Sequence, residues 1–429
     1  MSHRRIVMLT IAAVVSLAGV SIAIAQSLLH PQAGEFAEDD FVAVKTCKMC
    51  HQTQHGQWEG TLHAHSADDP FYLRVTELAA KDMPGVEDFC ANCHAPVVVF
   101  TGQDPLDVGN LSGAAENGLQ CDFCHTVSAM DHIGNSGFVS TPGIVKFGPF
   151  DVTPELYHDA RQSPLHESAE FCGTCHNVTH PTSGVELEAT YTEYINGPYP
   201  EEGVVCQSCH MTPGLVEHED YPGKIAATSE EREHIWTHWF VGANAFVPEL
   251  MGNPEIAEIA RRRLSMAAKV EIGRLDAGAG QRYFEVTVTN TGAGHKLPTG
   301  VTEERQIWLE VEVFDEDGNV IAHFGTTDEQ GVIAEDTMIL MTKFGDAEGN
   351  PTHKIWRAES ILSDRRIAPR ESDSQAYHVS AVDGPEPRRA VAKLWYRSSH
   401  PDFVAELFAD AEEPVVVPHV LMAEVEREW

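Results

Sequence analysis

The sequence predicts an α+β chain in two parts: a mostly α-helical and irregular segment, then a C-terminal β-sandwich of immunoglobulin-like kind. Three observations predict it. All 10 cysteines of the 429 residues fall in one five-residue frame, C-x-x-C-H, at 47–51, 90–94, 121–125, 172–176 and 206–210. Between residues 47 and 240, Gly, Pro and His interrupt every sustained hydrophobic period. From about residue 270 onward, apolar and polar residues alternate instead.

In chain order, the first element is MSHRRIVMLTIAAVVSLAGVSIAIAQS. His3, Arg4 and Arg5 make a basic start, residues 6–24 are apolar, and Ala23-Ile24-Ala25 is a small-residue cleavage site, so residues 1–25 read as an export signal. The apolar run is also about long enough to span a bilayer, which makes an uncleaved anchor the competing reading. Either way the remainder is expected in the periplasm or at the cell surface.

Residues 26–250 carry the five repeated frames. With 10 Cys and 23 His in 429 residues, chance supplies about 0.01 such matches of a pattern that marks covalent haem attachment. Disulfides need no His after the second Cys, and five separate pairs do not divide into four-ligand zinc sites. Two thiols three residues apart on one helical turn can each add to a porphyrin vinyl group, while the next imidazole turns to the iron. The expected cofactors are therefore five c-type haems. Cys47, Cys50 and His51 hold the first; Cys90, Cys93 and His94 the second; Cys121, Cys124 and His125 the third; Cys172, Cys175 and His176 the fourth; Cys206, Cys209 and His210 the fifth. Such groups supply the core that this side-chain pattern lacks. The frames start 43, 31, 51 and 34 residues apart, and the two short tethers predict close pairs between haems 2 and 3 and between haems 4 and 5.

Residues 251–269 read as a linker helix: in PEIAEIARRRLSMAA a Pro stands at the first helical position and apolar residues recur at helical spacing. Residues 270–429 form the expected β-sandwich. YFEVTVTN, RQIWLEVEVFD, QAYHVSAV, AVAKLWYR and PVVVPHVLMAEVE read as strands, DEDGN and TGAG as turns, and 325–370 as long loops. No set of acid, base and nucleophile stands out there.

The formal charge is −36, from 65 acidic and 29 basic residues. Nucleic acid and anionic lipid would be repelled. A salt-adapted surface and steering toward a basic redox partner are both consistent with it.

The second axial position of each iron decides between a wire and an enzyme. Trp58-EGTL-His63-Ala64, LHESAEFCGTCH, ENGLQCDFCHTV and VVCQSCHM resemble the multihaem c-type cytochromes related to the tetrahaem electron acceptor of hydroxylamine oxidoreductase, over roughly residues 40–240. That resemblance implies distal ligands at His63 and His132, with His63 assigned to haem 3 and His132 to haem 1. His166, in a Ser-Pro-x-His segment, and His238, in HWFVGAN, resemble ligand segments of related cytochromes. His295, in GAGHKLPTG, resembles a ligand loop of a C-terminal β-domain, and a simple hairpin turn is its alternative. His158, His218 and His234 stand in reserve. The expected function is electron transfer between a donor and an acceptor redox protein, with a membrane-associated complex as a possible setting. The alternatives are catalysis on a small nitrogen or sulfur compound at one five-coordinate haem, for which the C-x-x-C-K variant of nitrite reductases is missing, and a subunit of a cell-surface conduit.

Overall fold

A computed structural model describes residues 28–152, 157–278, 281–380 and 384–429. The export signal expected at residues 1–25 lies outside these. No helix among the described residues is long and apolar enough to cross a membrane.

The first part is built of short helices and turns with four small two-stranded pairings, 127–130 with 138–140, 145–148 with 159–162, 178–179 with 186–188 and 223–224 with 231–232. Helices α1 (Val44–Lys48), α2 (Pro70–Asp82), α3 (Val86–His94), α4 (Cys121–Cys124), α5 (Ala169–Gly173) and α6 (Cys206–His210) carry or flank the C-x-x-C-H frames. α2 is the longest of these because its start is well capped: Asp69 accepts from the amides of Phe71 and Tyr72, and Pro70 occupies the first turn. The side-chain cores here are small. One gathers Phe41, Val97–Phe100, Phe123 and Phe138, and another joins Ala79 and Val86 to Trp356 and Phe403 of the second part.

Helix α7 (Pro254–Ala267), capped by Asn253, runs straight into strand β1 (Ala268–Ile272). Its buried Ile256, Ala257, Ala260, Leu264 and Ala267 follow the helical period. The strands that follow are β2 (Asp276–Gly278), β3 (Gln281–Asn290), β4 (Gln306–Phe314), β5 (Val320–Phe324), β6 (Ile339–Leu340), β7 (Ser372–Ser380), β8 (Arg389–Arg397) and β9 (Val420–Glu428). One antiparallel sheet runs β2-β3-β7 with β1 also on β3; the other runs β5-β4-β8-β9 with β6 also on β4. Phe284, Val286 and Val288 of the first sheet share a core with Ile307, Leu309, Val311, Ala392 and Leu394 of the second, as period-two alternation requires.

Two details differ from expectation. The 325–370 stretch is not all loop: Thr342–Gly345 pairs with Pro351–Thr352 and with Ser360–Asp364 in a small sheet. The last strand starts only at Val420, because Pro414 and Pro418 lack the N–H that a ladder needs.

The two parts are closely joined. α8 (Pro401–Leu407) packs Phe403 near Phe71 of α2, and His180 Nε2–H donates to the Trp356 carbonyl at 3.0 Å. Arg366 pairs with the buried Glu193, and Arg370 forms a two-pronged contact with Glu202 at 2.5 and 2.7 Å.

Candidate functional site

Each C-x-x-C-H frame winds into a helical turn. His51 N–H donates to Cys47 O at 2.9 Å, His125 N–H to Cys121 O at 3.0 Å and His176 N–H to Cys172 O at 2.9 Å, while α3 and α6 are helical through their frames. The turn sets both sulfurs and the following imidazole toward one side. The ten thiols form no disulfide, and together with the five frame histidines they line one continuous cavity of about 1740 Å³. That exceeds the roughly 300–1,000 Å³ of a pocket for one ordinary small ligand.

The sulfurs also show which frames are neighbours. Cys47 lies beside Cys121, Cys93 beside Cys175, and Cys172 beside Cys206, near enough for each pair to perturb one another's thiols. Frame 1 therefore adjoins frame 3, and frame 4 adjoins both 2 and 5. Both pairs inferred from tether length lie close: frames 4 and 5 meet through Cys172 and Cys206, and frames 2 and 3 share a core through Ala91, Phe123 and Cys124.

Across the cavity, imidazoles face one another in pairs. Ring centroids are 6.2 Å apart for His51 and His158, 6.4 Å for His125 and His238, 6.2 Å for His63 and His176, and 6.4 Å for His210 and His295. A metal–nitrogen bond of about 2.0 Å plus about 1.1 Å from that nitrogen to its ring centre, taken on both sides, gives about 6.2 Å. The donor set and its spacing thus fit an iron held between two imidazoles.

Hydrogen bonds prepare the rings for that role. Nδ1–H of His51 donates to Ile225 O at 2.6 Å, that of His125 to Phe147 O at 2.6 Å, and that of His210 to Val241 O at 3.2 Å. On the opposing side, His158 donates to Asp159 O, His238 to Trp236 O and His295 to Lys296 O. A carbonyl can only accept, so Nδ1 carries the proton and Nε2 is left with its lone pair for a metal. Burial favours the neutral form further: it lowers His63 and His238 to about 3 and His210 well below the usual range. For His176 the same burial is outweighed by a 3.0 Å contact with Glu188, which raises it.

His94 stands apart. Its ring stacks on Tyr72 at 4.3 Å and 5°, and among the described residues no second imidazole faces it at the spacing of the other four. Ser66 Oγ–H donates to its carbonyl at 2.5 Å, and burial lowers its imidazole to about 4. Cys90 of the same frame packs against a cluster of Ala79, Val86, Trp356 and Phe403, the last two from the second part.

The distal nominees fare differently. His63 faces frame 4, not frame 3. His132 faces none of the frames: it is exposed beside Asp131, and His158 stands opposite His51 in the place expected for it. His166 lies 5.8 Å from His125, but its Nε2 donates to the Cys124 carbonyl, and His238 takes the facing position. His295 reaches frame 5 from the β part. His158 carried no signal in the sequence beyond being one of the remaining histidines.

Residues 46–126, which span frames 1 to 3, match the Cytochrome c554 and c-prime family. No curated protein gives a match. The fold is similar to that of a penta-haem cytochrome c552 from Thermochromatium tepidum, with a TM-score of 0.67 and 20% identity over 91% of this chain and 99% of that one. A β-glucosidase from Kluyveromyces marxianus (TM-score 0.14, 8% identity, 38% of this chain and 15% of that one) and the outer-membrane decahaem cytochrome OmcA (TM-score 0.14, 12%, 38% and 23%) share too little to carry weight. The first two matches, taken with the cavity, support a multihaem c-type cytochrome of mixed α+β fold, which suggests electron transfer.

Proposed function

We propose that this chain is an exported, periplasmic carrier of electrons, holding five covalent haems between a donor and an acceptor redox protein. The observation that carries the reading is the set of four facing imidazole pairs at 6.2–6.4 Å across a cavity lined by all ten cysteines. A haem held between two imidazoles passes single electrons as Fe(III)/Fe(II) and makes no bond to a substrate. The cysteine pairs anchor it, the carbonyl-bound imidazoles fix its orientation, and the sulfur contacts 1–3, 2–4 and 4–5 set neighbouring groups close enough for charge to pass. His295 makes the β part a contributor to the fifth site.

Mass spectrometry of the mature protein should weigh the chain plus five haems, and a reductive titration should take up five electrons. A bare polypeptide mass would end this reading.

One observation favours a second activity. With no imidazole facing His94 among the described residues, frame 2 leaves a coordination position for a small nitrogen or sulfur compound. The reduced protein should then bind carbon monoxide at one haem in five. Five low-spin haems that bind none would remove this reading and leave the first intact.

A further inference from the structure

Residues 211–236 form a strap beside the cavity whose carbonyls at Ile225 and Trp236 hold His51 and His238, while its own His218, Asp220 and His234 face none of the frame histidines described above. It begins beside the fifth frame, where Thr212 Oγ1 donates to Glu219 O at 2.7 Å and accepts from Glu219 N–H at 2.8 Å. It ends at Trp236, whose carbonyl holds His238. In between, Gly223–Lys224 pairs antiparallel with Glu231–Arg232, and Ile235 N–H donates to Tyr221 O at 2.8 Å. This pairing brings residues 218–220 against residue 234.

Three donors meet there. His218 Nε2 lies 3.3 Å and His234 Nδ1 3.7 Å from the same oxygen, Asp220 Oδ1, and all three donor atoms fall within 4.8 Å of one another. Ligands about 2.1 Å from one tetrahedral ion stand about 3.4 Å apart, so the two measured separations are those of a shared cation. The side chains are held in place. Trp236 packs edge-on to His234 at 4.6 Å and donates its indole N–H to Glu167, and the Tyr221 amide caps His234 Nδ1 at 3.1 Å, a contact that a metal would replace. His234 Nε2 is buried and has no partner. His218 and Asp220 are open to solvent, at 44% and 76% exposure, which provides a path of entry and room for water ligands.

We propose that His218, Asp220 and His234 form a binding site for one divalent transition-metal ion of the zinc class, separate from the haem cavity. Two imidazoles and a single carboxylate match that class; calcium and magnesium take oxygen-rich sets. An ordinary surface His–Asp pair would use one imidazole, whereas here two from different segments share one oxygen.

The test is calorimetric titration of Zn²⁺ into the chelator-treated holoprotein. One ion per chain is expected, with binding weakened at least tenfold in both His218→Ala and Asp220→Asn, two exposed substitutions that leave the fold intact. His132→Ala removes another exposed His–Asp pair and should bind as the parent does. Absence of saturable binding, or variants at 218 and 220 that bind as tightly as the parent, would overturn the proposal.

Discussion

Arg366 is the most informative residue to remove. Its Nη1 meets Glu193, its Nε and Nη2 donate to Asp364 at 2.8 and 3.0 Å, and the Arg366 and Glu193 side chains are only 8% and 4% exposed. Glu193 in turn accepts from the Lys296 amide at 3.1 Å and the Thr299 hydroxyl at 2.6 Å, so it clamps the loop that presents His295. Arg366→Met strands a buried carboxylate, at a cost of about 3–5 kcal/mol. That is at least a fifth of the roughly 5–15 kcal/mol that stabilises a typical domain. Urea unfolding of the holoprotein should register the loss, and the ferric spectrum should gain high-spin character in one haem of five as His295 loses its support. The double variant Glu193→Met/Arg366→Met should recover most of the stability, because apolar replacement of a buried pair is close to neutral. If Arg366→Met stays within about 0.5 kcal/mol of the parent, as a surface pair would, and the spectrum is unchanged, the clamp does not exist.

Three further outcomes follow from the geometry. His158→Ala and His238→Ala should each convert one low-spin ferric haem to high spin, whereas His132→Ala should convert none; a spectral change on removing His132 would contradict the pairing. A Cβ at Gly118 would stand 2.8 Å from both the His63 carbonyl and the Ser66 amide, so Gly118→Ala should lower thermal stability and perturb the haem that faces His63. Burial lifts the partly buried Asp69 carboxyl to about 6, against the capping amides of Phe71 and Tyr72 that pull it down. The folded state thus holds that proton more tightly than an unfolded Asp at about 3.9, and stability should fall as pH climbs from about 4 through 6. Asp69→Asn keeps a capping oxygen and should flatten that slope in unfolding midpoints measured across the range.

The frame residues were legible because their chemistry is local: two sulfurs and an imidazole on one turn need no knowledge of the rest of the chain. The strands of the β part were legible for a similar reason, since one sheet face must be apolar at period two, and YFEVTVTN, RQIWLEVEVFD and AVAKLWYR became β3, β4 and β8. The facing histidines are set by tertiary approach, and no local pattern records it. His132 and His158 are both histidines beside an acidic residue in a polar stretch. Only the return of the chain that sets His158 opposite His51 separates them. The short strands at 342–364 escaped notice because two to five residues are too few to show a period.

Why a haem-lined segment should need a β half can be argued from the contacts between them. A segment whose cysteines and histidines face an internal cavity has few side chains left to close its own walls, and the α2–α3 side is closed by Trp356 and Phe403 from the second part. The fifth frame would face open space without His295, whose loop is held by Glu193 on one side and by the β part on the other. The same cluster takes in Cys90 of frame 2, whose His94 has no facing imidazole among the described residues, so that frame is packed by both halves. A change in how the halves meet would therefore register first at frames 2 and 5, while frames 1 and 3, whose partners His158 and His238 come from the first part itself, would be spared.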